Sequence, residues 1–124
     1  MMRLSLTRWR RTNYEARRPF LASAGSGYAG KPRPVLIIQA DALGALSSVV
    51  VIPLTTFGHE ASIVRPAMVA SPDNGLDQDS FVMLDKVVAI PRSKIGPRLG
   101  SVDVKTLRAV NRGLATVLGL GQKV

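Results

Sequence analysis

"SVVVIPLTT", residues 48–56, decides how this chain folds. Val49, Val50, Val51 and Ile52 are four β-branched residues in succession, which favours an extended backbone over a helix. Ser48–Leu54 is therefore the clearest strand in the sequence. Pro53 falls near its end, where a missing N–H donor does least harm to a ladder. Thr55 and Thr56 follow at the point where the strand gives way to the polar loop 55–62.

Working outward, the preceding segment is "GYAGKPRPVLIIQ", residues 27–39. Glycines, two prolines, Lys31 and Arg33 crowd the mouth of the apolar run Val35–Gln39, which suits a strand buried on both faces. Before the Gly-rich loop Gly25–Pro34, a short strand is expected at Phe20–Ala24. Beyond residue 56, a weaker strand spans Ile63–Val69, and Pro66 marks it as an edge. "SPDNG", residues 71–75, is dense turn chemistry. Ser80–Leu84 and Lys86–Ile90 read as a strand pair or as one strand bent around Asp85.

The last element is a helix with Asp103 as its N-cap. Leu107, Val110, Leu114, Val117 and Leu118 recur at helical spacing, giving one apolar face toward the sheet, and Gly119 and Gly121 supply the stop. The pattern is a small, mainly β protein closed by a C-terminal helix, with no internal repeat. Its 124 residues suffice for one modest core.

Six of the 17 basic residues lie in the first 18 positions, where Glu15 is the only acid. Residues 1–18 thus read as a basic, flexible arm ahead of a domain at 19–124; on composition a transit peptide is the alternative. The net charge of +9 favours a polyanionic partner, nucleic acid or an acidic protein. No apolar run approaches the roughly 20 residues that cross a bilayer, so a soluble protein without membrane partners is expected.

Several chemistries are missing. There is no cysteine, so disulfides and thiolate metal sites are excluded. His59 is the only histidine, which rules out a histidine pair for acid–base work. The glycines of "GSGYAG" precede a strand rather than a helix, unlike a nucleotide-binding loop. Asp73, Asp77 and Asp79 lack the following Glu of a calcium loop. No metal or cofactor is expected.

What remains is cationic and hydroxylic. If Val35–Gln39 and Ser48–Leu54 pair antiparallel, the start of the first lies beside the end of the second, and Arg33 approaches Thr55. A guanidinium beside a hydroxyl, backed by loop amides, suits a phosphodiester. The bland alternative is that Arg33 caps the sheet end while the threonines make turn hydrogen bonds. Tyr28 and Phe57 occupy the two flanking loops, where aromatic rings either stack on bases or cover a sheet edge. Phe20 and Phe81 are expected in the core.

Taken in series, "GKPRPVLIIQ", "VVVIPLTT", "NGL", "VMLDKVVAIPRSKIGPRLG" and a helix ending "LGL" resemble the MazF/PemK family of toxin endoribonucleases, over about residues 17–121. The resemblance implies an SH3-like barrel of the CcdB/MazF type with a C-terminal helix. It implies a homodimer in the bacterial cytoplasm that cuts single-stranded RNA at short motifs without metal. It implies attack by the 2′-hydroxyl, leaving 2′,3′-cyclic phosphate and 5′-hydroxyl ends, and a cognate antitoxin with an acidic, disordered tail. By position, Arg33 matches the family's active-site arginine and Thr55 its Thr or Ser. Thr56 and Asp85 are further candidates, catalytic or structural, and Tyr28, Gly30, Lys31 and Phe57 are candidates for RNA contact.

The chain departs from the family pattern in places. Met83 stands where one branch has the arginine of an Arg-x-Asp pair, Pro19 replaces an acid, and no acid lies between Pro19 and Arg33. Two alternatives within the fold are a gyrase-inhibiting toxin of the CcdB type and a catalytically inactive relative that binds RNA or antitoxin. The first relies on a C-terminal Trp-Gly-Ile, whereas this chain ends Leu120-Gly121-Gln122-Lys123-Val124 and has its one tryptophan at position 9.

Overall fold

A computed structural model of the chain describes residues 19–25, 32–38, 46–58 and 60–121. The basic arm at 1–18, the loop residues Tyr28, Gly30 and Lys31, and His59 lie outside them.

Seven strands and one long helix make up the described residues: β1 Phe20–Ala24, β2 Arg33–Ile37, β3 Ser48–Thr55, β4 Ala67–Met68, β5 Ser80–Val82, β6 Val88–Pro91, β7 Ile95–Ser101 and helix α1 Val104–Leu118. The sheet runs β4-β5-β3-β2-β1-β7, antiparallel throughout, with β6 also on β3. It curls into half a barrel, as the β pattern with a closing helix requires.

β3 is the axis of this sheet. One of its edges is held by β2, with Leu36 opposite Ile52 and Ile37 opposite Val51. Its other edge is shared. Thr55 and Leu54 pair with Phe81 and Val82 of β5, whereas Val51 to Ser48 pair with Val88 to Pro91 of β6. Between them the Met83 N–H still donates to the Pro53 carbonyl at 3.0 Å, and Leu84–Lys86 then form a 3₁₀ turn. Segment 80–91 is thus two short strands, β5 and β6, along one edge of β3 with a turn at Asp85 between them, where either a strand pair or one strand bent around Asp85 was expected. The turn absorbs the slip in register between them.

Alternation along β1, β2 and β3 sorts side chains onto two faces. One face carries Leu21, Leu36, Ile52, Leu54, Val82 and Leu84 and is covered by Leu107, Val110 and Leu114 of α1. The other carries Ala22, Ala24, Val35, Ile37, Val49 and Val51, with Phe20, Ile90 and Ile95 packed against it. The helix begins where its cap dictates. The Thr106 N–H donates to Asp103 Oδ1 at 2.9 Å, and hydrogen bonding from the Thr106 side chain, then from that N–H, holds the Asp103 carboxyl below its ordinary range. At its other end Gly119 adopts the left-handed conformation (φ 69°), and the Leu120 N–H reaches back to the Ala115 carbonyl at 2.8 Å.

Five local expectations need correcting. β2 starts at Arg33 rather than Val35, so that arginine belongs to the sheet and not to the loop. The strand expected at Ile63–Val69 shrinks to Ala67–Met68, because Ser62 and Arg65 bridge in a tight turn just before Pro66; β4 does lie at a sheet edge. β7 was not expected at all. Val117 and Leu118 stand 37% and 53% exposed, past the point where α1 meets the sheet. Phe20 and Phe81 are half-buried rather than core, and the Arg98 guanidinium lies over the Phe20 ring, 4.7 Å from its centre.

Candidate active site

The β2–β3 register sets Val35 opposite Pro53. The β2–β3 ladder ends there; extrapolated two residues outward, within the span of both strands, its register would set Arg33 opposite Thr55. Side chains two residues apart along a strand point to one face, so Arg33 lies on the face of Val35 and Thr55 on the face of Pro53, each beyond the last paired residues. Arg33 is exposed and Thr55 half-buried. Two residues further in, Val35 is 6% exposed, so the transition from core to site is abrupt.

Local bonding orients the threonine. Its Oγ1 accepts the Phe57 N–H at 3.1 Å, which fixes the side chain and uses one lone pair while leaving the hydroxyl proton free to donate. Among the described residues no carboxylate pairs with Arg33. The two residues therefore offer a cation and a hydroxyl donor, a set that suits an oxyanion on phosphorus.

On its other edge Thr55 faces Phe81. The loop after β3 folds over that ring: a Cβ at Gly58 would sit 2.5 Å from Phe81 Cε2, so only glycine allows the approach. Folding the loop in this way leaves Phe57 85% exposed beside Thr55, open to a stacking partner. Thr56 is exposed on the same bend.

Asp85 sits apart, in the 3₁₀ turn, and is not free. Arg65 grips it with two bonds, Nε to Oδ1 at 3.1 Å and Nη2 to Oδ2 at 3.0 Å. The hydrogen bond from Arg65 is the main cause that holds the Asp85 carboxyl below its usual value. The Val82 N–H donates to the Pro66 carbonyl and the Leu84 N–H to the Val64 carbonyl. Together with Ala67 opposite Phe81, these bonds place Arg65 across from Met83. Asp85 is thus partnered from the neighbouring segment, 20 residues away, where no local spacing rule could find it. Among the described residues no cluster of three or more His, Asp or Glu side chains is placed to hold a metal ion. No helix among them is long and apolar enough to cross a membrane.

Residues 19–118 match the model of the PemK-like, MazF-like toxins of type II toxin–antitoxin systems. The chain belongs to that family. A probable MazF endoribonuclease from Mycolicibacterium smegmatis is 40% identical over 101 residues, covering 82% of this chain and 93% of the relative. Endoribonuclease MazF2 from Mycobacterium bovis is 33% identical over 92 residues, 73% of this chain and 81% of the relative. Among solved structures, a mycobacterial endoribonuclease in complex with its cognate antitoxin is 28% identical with a TM-score of 0.69, covering 86% of this chain and 97% of that one. The Mycobacterium tuberculosis toxin MazF-mt6 superposes with the same TM-score at 25% identity, over 85% of this chain and all of the other. The half-barrel with its C-terminal helix is accordingly the MazF fold, and Arg33 and Thr55 lie on adjacent central strands of it.

Proposed function

We propose that this MazF-family chain is the toxin of a type II pair and acts as a sequence-specific endoribonuclease on single-stranded RNA, with Arg33 and Thr55 at its active centre. The observation that supports this is the antiparallel β2–β3 ladder, which ends at Val35 opposite Pro53, two residues short of Arg33 and Thr55 on the same face. The reaction joins the 2′-oxygen to the adjacent phosphorus as the P–O5′ bond breaks. The 2′-hydroxyl gives up a proton and the departing O5′ takes one, leaving a 2′,3′-cyclic phosphate and a 5′-hydroxyl without a metal.

Negative charge grows on the non-bridging oxygens in the transition state. Arg33 offers a planar fork of N–H donors and a positive charge. Thr55 donates its free hydroxyl proton to one of the same oxygens. Phe57, exposed in the loop after β3, stacks on a neighbouring base in this reading, and Tyr28, Gly30 and Lys31 are proposed as further RNA contacts. Asp85 serves the fold, through Arg65, rather than the chemistry. The enzyme works as a homodimer in the cytoplasm, and its partner is an antitoxin whose acidic, disordered tail covers the basic groove.

The decisive experiment incubates the purified protein with unstructured RNA in EDTA and maps the ends. Cuts leaving 5′-hydroxyls are expected, with Arg33→Ala and Thr55→Ala each slower by about 10²–10³. A requirement for Mg²⁺, or full activity in both variants, would overturn the mechanism.

A further inference from the structure

The face that carries Arg33 and Thr55 continues inward. One same-face step along each strand brings Val35 and Pro53, directly opposite each other, and both line a cavity of about 310 Å³. That step is about 7 Å at the rise of a strand, which one nucleotide spans from phosphate to base. The walls are apolar and partly flat: Val35 and Val51 from the sheet, Pro53 and Pro91 as rings, and Ile90 beyond them. Small side chains on this face leave the space, since Ala24 lies where a larger residue would fill it.

Lys94 is the one charged residue on the cavity wall. It closes the turn after β6 and is exposed, and its own carbonyl accepts the Gly25 N–H at 2.8 Å, tying that turn to the end of β1. Among the described residues no ion pair occupies its ammonium. An ammonium can only donate, so it favours a base edge that offers acceptors, the carbonyl oxygen of uracil or guanine, over one led by the amino group of cytosine or adenine. A larger cavity, about 680 Å³, lies between β4 and α1, but Asp73 and Asp103 on its wall make it a poor seat for RNA.

We propose that the 310 Å³ cavity receives the base flanking the scissile phosphate and that Lys94 selects a keto base there. This rests on the assignment of Arg33 and Thr55 as the phosphate-holding pair. Apolar lining shelters an unstacked base, as in other single-strand readers. The cation at the rim adds the choice between base edges.

Two measurements on the full chain test it. The first maps cut sites in an RNA pool randomised around the target. The second follows binding of an oligonucleotide made uncleavable by a 2′-deoxy sugar at the cut. Lys94→Ala should lower the preference for U or G over C or A about tenfold at one flanking position and leave other positions selective, while Lys94→Arg keeps the preference. Val88→Phe, at the mouth of the cavity, should weaken oligonucleotide binding about tenfold. An unchanged base profile in Lys94→Ala together with unchanged binding in Val88→Phe overturns the proposal. So does a result in which both variants lose only self-association, which would assign this face to a second copy. Failure of the underlying assignment looks different: Arg33→Ala and Thr55→Ala would then cut as fast as the parent, whatever the base profile at Lys94.

Discussion

The two faces of the sheet are built from the same strands and differ in what they achieve. Under α1 the side chains are large, and Leu21, Leu36, Ile52 and Leu84 are fully buried. On the opposite face the same strands offer alanine and valine, and an open cavity remains between Val51, Pro53 and Ile90. Filling costs nothing in function on the first face, because nothing has to enter it. The second face leads to Arg33 and Thr55, and in the proposed function room there lets RNA lie against the sheet. One face holds the molecule together, and the other leaves a place for chemistry.

Paired truncations probe that division most strongly. Leu84→Ala removes a side chain wedged between sheet and helix and should cost about 3 kcal/mol. Val51→Ala, beside the existing cavity, should cost about 1.5 kcal/mol, close to the transfer value of the two lost carbons with little added void. Urea midpoints at unchanged slope measure both. Equal losses would mean that the second face is packed as tightly as the first, and the contrast would fail.

A smaller effect sharpens the closed side. Gly113 of α1 is buried, and a Cβ there would run into the Leu84 side chain and the Ile63 carbonyl. Helix propensity favours alanine over glycine by about 1 kcal/mol, yet overpacking costs about 1–3 kcal/mol, and the carbonyl is backbone that cannot swing aside. Gly113→Ala should therefore destabilise by roughly 1 kcal/mol net, whereas Asn111→Ala, exposed on the same helix, gains a few tenths. Thermal melting of the two variants against the parent gives the signs directly. Stabilisation by Gly113→Ala would place the helix further from the sheet.

Local chemistry made the closed face readable. β-branched runs announced β3, and the Asp103 cap with helical spacing announced α1. The Phe20–Ala24 strand was legible to the residue. β7 was not, because "IGPRLGS" offers two glycines, a proline and only Ile95 and Leu99 as large apolar residues. That segment is a strand by virtue of β1, which it joins through two register shifts that no period-2 pattern survives. Similarly, the β2–β3 pairing on which the proposed Arg33–Thr55 site rests was legible because it needs only one antiparallel ladder, whereas the partner of Asp85 depends on where three segments meet.

The Arg65–Asp85 clamp gives the smallest effect, and acid is the way to see it. It pins the turn at which β3 exchanges β5 for β6, so it belongs to the scaffold behind both faces. Both side chains are partly open to solvent, which limits its worth at neutral pH. Its signature is the pH dependence. Because the hydrogen bond from Arg65 lowers the folded-state value of Asp85, the unfolded chain binds the proton first on acidification. The contribution is complete above 3.8, the ordinary aspartate value, and is lost as the pH falls through the lower folded value. Asp85→Asn removes the titrating group while keeping its shape. Melting temperatures of parent and variant, followed from pH 6 downward, should therefore differ most at the upper end and converge in acid. Curves that stay parallel through the whole range would show that Arg65 holds Asp85 no better in the folded chain than in the unfolded one.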